Sequence, residues 1–287
     1  MQLDIFADSV ETMLLNDVVN ALRRESYLEA EKAMDRLAAQ YPDNPALPDA
    51  TALLVLREFP ATVSGHEELS SLFGHVENVI EPAARRLFGN NARQWVNDAA
   101  WQHLAVISAR LPYCPSHPAC HAAAAWMRAQ TWQVAIESIM AIPNWRRLPV
   151  PLQWMATSTV RNNDLDGAWP LLMELAWMAP PAFAAVLRNL DDPVLSGLLK
   201  DFEASFDDND DDQLCWFPAL ALAARPALLA RVRNAAPARV TDATKAFGCV
   251  CGLLLLEKQG RHAEIVKERA RLRSLNDQLY ARYMRTR

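Results

Sequence analysis

One pattern of paired helices is written twice between Ala119 and Pro180, and it restricts the chain more than any other feature. Ala123 and Trp126 precede Trp132, Ala135 and Ile139, and Ala156 and Thr159 precede Leu165, Ala168 and Leu172 at an offset of 33 residues. A third copy lies near the start, where Tyr27, Ala30, Met34, Leu37 and Pro42 reproduce the spacing of Leu165, Ala168, Leu172, Leu175 and Pro180. Apolar positions three and four apart share one helical face, and the small alanines let a neighbouring helix approach closely. Pro42 and Pro180 end their helices, because proline lacks an amide hydrogen and its ring clashes with a continuing helix. The copies span 14–42, 119–147 and 152–180; the middle one departs, with an early Pro143 followed by Asn144-Trp145-Arg146-Arg147. A unit of this length buries its apolar faces by stacking on its neighbours.

Composition agrees with helices. Glycine is scarce, 8 against 18 prolines, and 51% of the 287 residues are hydrophobic, enough for a sizeable core. The expected class is all-α. On the residues above, the array resembles the tetratricopeptide family, which implies an α-α superhelix of stacked antiparallel pairs that binds protein segments in a concave groove. A fourth, weaker pair is expected at 242–258 and 262–284, joined at Gln259-Gly260-Arg261, with Gly260 supplying a left-handed turn and Ile265 standing where the other copies have alanine. Further helices are expected at 48–57, 67–88 with a kink before Pro82, 92–110, 183–190, 194–206, 213–223 and 226–235. The organisation is then an N-terminal arm at 1–7, a helical-repeat array at 8–206, an exposed acidic loop at 207–212, and a helical segment at 213–287 continuing the array.

The formal charge of −5 gives no general attraction to nucleic acid or to an anionic membrane, so direct nucleic-acid binding is not expected. The distribution is uneven: residues 257–287 carry nine Lys/Arg against four Asp/Glu. That tail either meets a phosphate backbone or is a solvated terminal helix, with Leu272, Leu275, Leu279 and Met284 packing one face. Five cysteines, an odd number in a chain too large to need disulfides, fit a reducing cytoplasm. No secretory signal opens the chain, and its longest apolar run, 246–256, is too short to span a membrane.

A cation stands four residues before each large residue that opens a second helix: Arg23 before Tyr27, Arg128 before Trp132, Arg161 before Leu165 and Lys258 before His262. In a tetratricopeptide-like array this position lines the concave side, and Gln153 and Thr157 lie one and two turns earlier on the helix of Arg161. Guanidinium groups there would receive carboxylates of an acidic or extended partner. The local alternative is that each cation serves its own helix C-terminus through the dipole.

The arm Gln2-Leu3-Asp4-Ile5-Phe6 resembles the pentapeptide that docks bacterial DNA-maintenance proteins on the replication sliding clamp, with Ile5 in place of the usual leucine. The resemblance implies a DNA-maintenance accessory factor tethered to the clamp. In a structural role, Leu3, Ile5 and Phe6 instead cover the end of the first helix pair. Cys114, His117, Cys120 and His121 are zinc-ligand types, but a closed zinc site draws its ligands as two separated pairs. Packed into eight residues with prolines, these read as a loop in which His121 begins the next helix and the cysteines are small hydrophobes, so no metal is expected. No glycine-rich phosphate loop, zinc-protease helix or serine elbow is present. The expected function is therefore a non-catalytic protein–protein adaptor without a cofactor, whose partner is a protein or peptide.

Overall fold

The computed structural model describes residues 2–190, 192–206 and 211–287, with residues 2–9 and 211 described in their backbone only. The chain is all-α, with no strand among the described residues. It divides into two compact units, 1–138 and 139–287. The division falls inside the region read from the sequence as one array, not at the acidic run.

Unit 1 contains α1 (Gln2–Arg23), α2 (Tyr27–Gln40), α3 (Leu47–Leu54), α4 (His66–His75), α5 (Glu81–Phe88), α6 (Ala92–Val96), α7 (Gln102–Ser108) and α8 (Ala122–Arg128). Helix α9 (Trp132–Met140) carries the boundary. Unit 2 contains α10 (Pro149–Arg161), α11 (Leu165–Met178), α12 (Pro180–Asn189), α13 (Pro193–Glu203), α14 (Phe217–Ala224), α15 (Leu229–Val232), α16 (Asp242–Gln259), α17 (His262–Leu275) and α18 (Asp277–Arg285). Helices pack mainly on their neighbours in sequence, among them α1 on α2, α5 on α6, α7 on α8, α10 on α11 and α16 on α17.

The four residues expected to open a second helix, Tyr27, Trp132, Leu165 and His262, are the first residues of α2, α9, α11 and α17. Ala30, Ala135 and Ala168 are fully buried, so the small side chains do sit where the helices are closed in. The link before each second helix is also the same. Glu25, Gln130, Asn163 and Gly260 have φ of 55°, 59°, 62° and 68°. The following amides of Ser26, Thr131, Asp164 and Arg261 reach back to the carbonyls of Ala21, Trp126, Thr159 and Leu256 at 3.0, 3.0, 3.0 and 3.2 Å. A left-handed residue with a six-to-one bond closing the helix end is the Schellman turn, which satisfies carbonyls the helix itself leaves open. Only Gly260 adopts this conformation without steric cost. No atom lies within 4 Å of a Cβ built at Gly260, so Gly260→Ala should lose about 1 kcal/mol of stability through the backbone alone. Gly260→Asn should lose less, and urea unfolding of the two variants checks both.

Three expectations are corrected. The helix expected at 67–88 does not simply kink before Pro82: a π-helical turn at Val76–Ile80 joins α4 to α5, with Glu81 N–H bonded to Val76 O. The widened turn makes room for a ring that an α-turn would clash with. The helix at 92–110 likewise contains a π-turn, Asn97–Trp101, between α6 and α7. The expected helix 262–284 is broken at Asn276, whose extended backbone (φ −160°) and side chain, accepting from Leu279 N at 2.8 Å, cap α18. Of the acidic run, Asp207–Asp210 lie outside the described residues, and Asp211–Trp216 forms a 3-10 segment.

The core of unit 1 gathers Leu22, Leu37, Leu53, Leu69, Ile80 and Trp101. In unit 2 Trp169, Phe183, Phe217 and Tyr283 are fully buried, with the Phe183 and Phe217 rings edge-to-face at 5.1 Å. Among the described residues no single helix is long and apolar enough to cross a membrane.

Candidate functional site

The recurring cations do not form one uniform row. Arg23 lies over the Phe88 ring at 5.7 Å. Arg128 donates from Nε and Nη2 to Glu77 Oε1 at 2.8 and 2.5 Å, and its guanidinium stacks on Phe73 and Trp101 at 5.6 and 5.1 Å. Arg161 donates to Asn189 O at 2.7 Å, serving the end of α12. Lys258 is exposed, and Gln153 and Thr157 are half-buried on α10. Arg128 belongs to unit 1 and Arg161 to unit 2. Three of these four cations therefore have local employment that their spacing did not reveal.

A different cation arrangement emerges where the two π-turns lie close to α8. A cleft of about 570 Å³ is lined by Glu81, Arg85, Gly89, Asn90, Arg93, Asn97, Arg128 and Gln130, among others. Helix α5 ends at Gly89 (φ 55°), a left-handed position that turns the chain within three residues into α6. This short turn is why Arg85, near the end of α5, and Arg93, at the start of α6, line the same cleft.

The charges of the lining are unbalanced. Glu81 is its one carboxylate, and it accepts from Trp101 Nε1 at 2.9 Å. Asn97 is buried; with its amide turned so that nitrogen donates, it reaches Arg93 O at 3.3 Å and Arg128 O at 3.1 Å, tying the π-turn to α8. Arg85 and Arg93 are exposed, and their side chains make no ion pair or hydrogen bond among the described residues. Two free guanidiniums thus flank a framework in which Glu81, Asn97 and Arg128 are already engaged. Such a site can accept carboxylates through charge-assisted, bidentate bonds. Arg85, Arg93 and Asn97 were not singled out by the sequence reading, because nothing in the repeat spacing marks the α5–α6 turn.

The cysteine–histidine stretch is built as a loop clamp. His121 Nδ1 accepts from Ala123 N at 3.2 Å and caps α8, while burial pushes its imidazole down to about 4. The Cys120 thiol, raised by burial, donates to His66 O at 3.8 Å, and His66 stacks on His117 at 6.0 Å. Cys114 lies 3.0 Å from Ser116 Oγ, a hydrogen bond that draws its thiol down. Among the described residues no three His, Cys, Asp or Glu side chains are arranged to hold a metal ion. The clamp-like motif Gln2, Leu3, Asp4, Ile5 and Phe6 falls where only backbone is described, within α1, so its side chains lie outside the described residues. That helix begins at Gln2 and so runs through the stretch expected to be an arm at 1–7.

The fold and site define a helical-pair protein with a basic cleft. Comparison with protein-family models, with curated proteins and with solved structures finds no match to this chain.

Proposed function

We propose that the protein is a non-catalytic binding module of tetratricopeptide-like helix pairs, and that its unit 1 cleft receives an acidic or extended segment of a partner protein. The carrying observation is the pair of unengaged guanidiniums, Arg85 and Arg93, lining a cleft with a single, already bonded carboxylate. The recurring Schellman turn supports the repeat reading, since the same local geometry returns before α2, α9, α11 and α17. Arg128 contributes to this site as part of its wall, held by Glu77, and not as a free contact.

The test is a titration of the full chain with a fluorescein-labelled dodecapeptide rich in Asp and Glu. Each charged hydrogen bond contributes about 1.5–3 kcal/mol, and about 1.4 kcal/mol is tenfold in affinity. The double variant Arg85→Ala/Arg93→Ala should therefore weaken binding at least tenfold while leaving the urea midpoint in place, because exposed charges add little stability. Equal affinity of wild type and variant, or equal binding of the Asn/Gln version of the peptide, rules the cleft reading out.

A further inference from the structure

Unit 2 carries a second concentration of unneutralised arginine, independent of the cleft in unit 1. Between Gln213 and Thr241 there are four arginines and no acidic residue. Arg225, Arg233 and Arg239 are exposed and make no ion pair or hydrogen bond through their side chains among the described residues, while Arg231 meets Asp166 at 2.9 Å. In the basic tail six of the nine cations are ion-paired: Arg261, Arg269, Arg271, Arg273, Arg282 and Arg287, with Glu264, Glu257, Glu268, Asp277, Asp201 and Glu257. Three tail cations, Lys258, Lys267 and Arg285, are exposed and make no ion pair among the described residues, but they stand among the tail's own carboxylates, whereas the 213–241 segment has none of its own.

The arginine-bearing segment is fixed to a second basic stretch. Arg146 Nη2 donates to Asn234 O at 3.1 Å, and Arg147 Nη1 donates to Ala236 O at 3.0 Å. Beneath them Glu174, 2% exposed, accepts from Arg146 Nε and Nη2 at 2.6 Å each and from Ala236 N at 2.6 Å. A buried ion pair adds little net stability, since desolvation offsets its attraction, but it fixes the geometry of what it joins. Here it holds Trp145-Arg146-Arg147 against the loop that carries Arg233 and Arg239. Glu174 faces inward and is neutralised, and the exposed Asp166 is paired with Arg231, so the charges left over on the segment are those of Arg225, Arg233 and Arg239.

We propose that this platform binds the phosphate backbone of single-stranded nucleic acid. Between its arginines the exposed residues are Asn234, Ala236, Pro237 and Ala238, small groups that allow a chain to approach and provide no deep apolar seat. A protein partner draws most of its affinity from large anchors in pockets, whereas a phosphate chain needs repeated cations and room. Guanidinium groups match phosphate oxygens in pairs, and the half-buried indole of Trp145 adds a face on which a base stacks. The overall negative charge does not oppose this, because screening confines such contacts to within about 10 Å at 0.1 M salt.

The experiment is fluorescence anisotropy of the full chain with a labelled 20-nucleotide single strand of mixed sequence, across a salt series, with labelled poly-glutamate as the competing anion. Wild type should bind saturably at low salt, with log K falling linearly in log salt. Arg233→Ala/Arg239→Ala should flatten that slope by about 1.4, near 0.7 for each lost single-strand phosphate contact, and weaken binding at least tenfold, with an unchanged thermal melt. Arg233→Lys/Arg239→Lys should keep the slope, and Arg85→Ala/Arg93→Ala should leave both slope and affinity alone, which separates this surface from the cleft. Absence of binding, an unchanged slope in the alanine variant, or poly-glutamate binding as tightly as the oligonucleotide through Arg233 and Arg239 overturns the proposal.

Discussion

Arg146→Ala is expected to destabilise unit 2 by about 3–5 kcal/mol, the cost of leaving a buried charge without its partner. The carboxylate of Glu174 is 2% exposed, so water cannot replace the guanidinium, and only Ala236 N–H remains to it. The converse change is milder. Arg146 is 39% exposed, and in Glu174→Ala its charge turns to solvent, so the loss should be about 2 kcal/mol, the lower end set by lost hydrogen bonds. Replacing both partners, Arg146→Met with Glu174→Leu, removes the desolvated charges together and should recover most of the stability. Urea unfolding ranks the three variants. Hydrogen exchange at Ala236 adds a local readout, because that amide donates to Glu174 and should lose protection in every variant lacking the carboxylate. An Arg146→Ala protein as stable as wild type would mean that Glu174 finds another partner, and the account of the platform would fail with it.

Much of the fold was legible because the features that set it are local. The starts of α2, α9, α11 and α17 follow from the spacing of large and small residues, and the burial of Ala30, Ala135 and Ala168 follows from the same periodicity. What carries no local signal was missed. Glu25 and Gln130 take the left-handed turn without being glycine or asparagine, since the requirement comes from closing the helix pair and not from the residue. The π-turns at Val76–Ile80 and Asn97–Trp101 insert one residue into a pattern that still reads as continuous helix. Glu174 sits within Leu171-Leu172-Met173-Glu174-Leu175, and its partners Arg146 and Ala236 are distant in sequence. Of the candidate site, only Arg128 was legible. The break at Gly89-Asn90-Asn91 was legible, but not that so short a turn brings Arg85 and Arg93 to one cleft.

Arg128 shows why a spacing rule alone misassigns a cation, and it supplies the second large expected effect. Its position at the end of α8 suits the helix dipole, but the structure engages the side chain more fully than that. The guanidinium lies over Phe73 and Trp101, whose own rings meet edge-to-face at 5.4 Å, while Nε and Nη2 converge on Glu77 and Nη1 donates to Ala124 O at 3.4 Å. It is 33% exposed, so the cation–π contacts are partly desolvated and each is worth about 1 kcal/mol; with the charged hydrogen bonds, Arg128→Ala should cost about 2–3 kcal/mol. Arg128→Lys keeps a charge beside Glu77 but loses the planar face and the fork, and should restore less than half of that loss. Glu77→Gln separates the ion pair from the stacking and should cost under about 1 kcal/mol, because Glu77 is 41% exposed. Thermal and urea unfolding of the three variants decide between the roles. If Arg128→Ala unfolds like wild type, the residue is a free surface cation and belongs with Arg85 and Arg93 as a direct contact; if stability falls as expected, any loss of peptide binding in that variant reports a collapsed wall, and the acidic ligand is read by Arg85 and Arg93 alone.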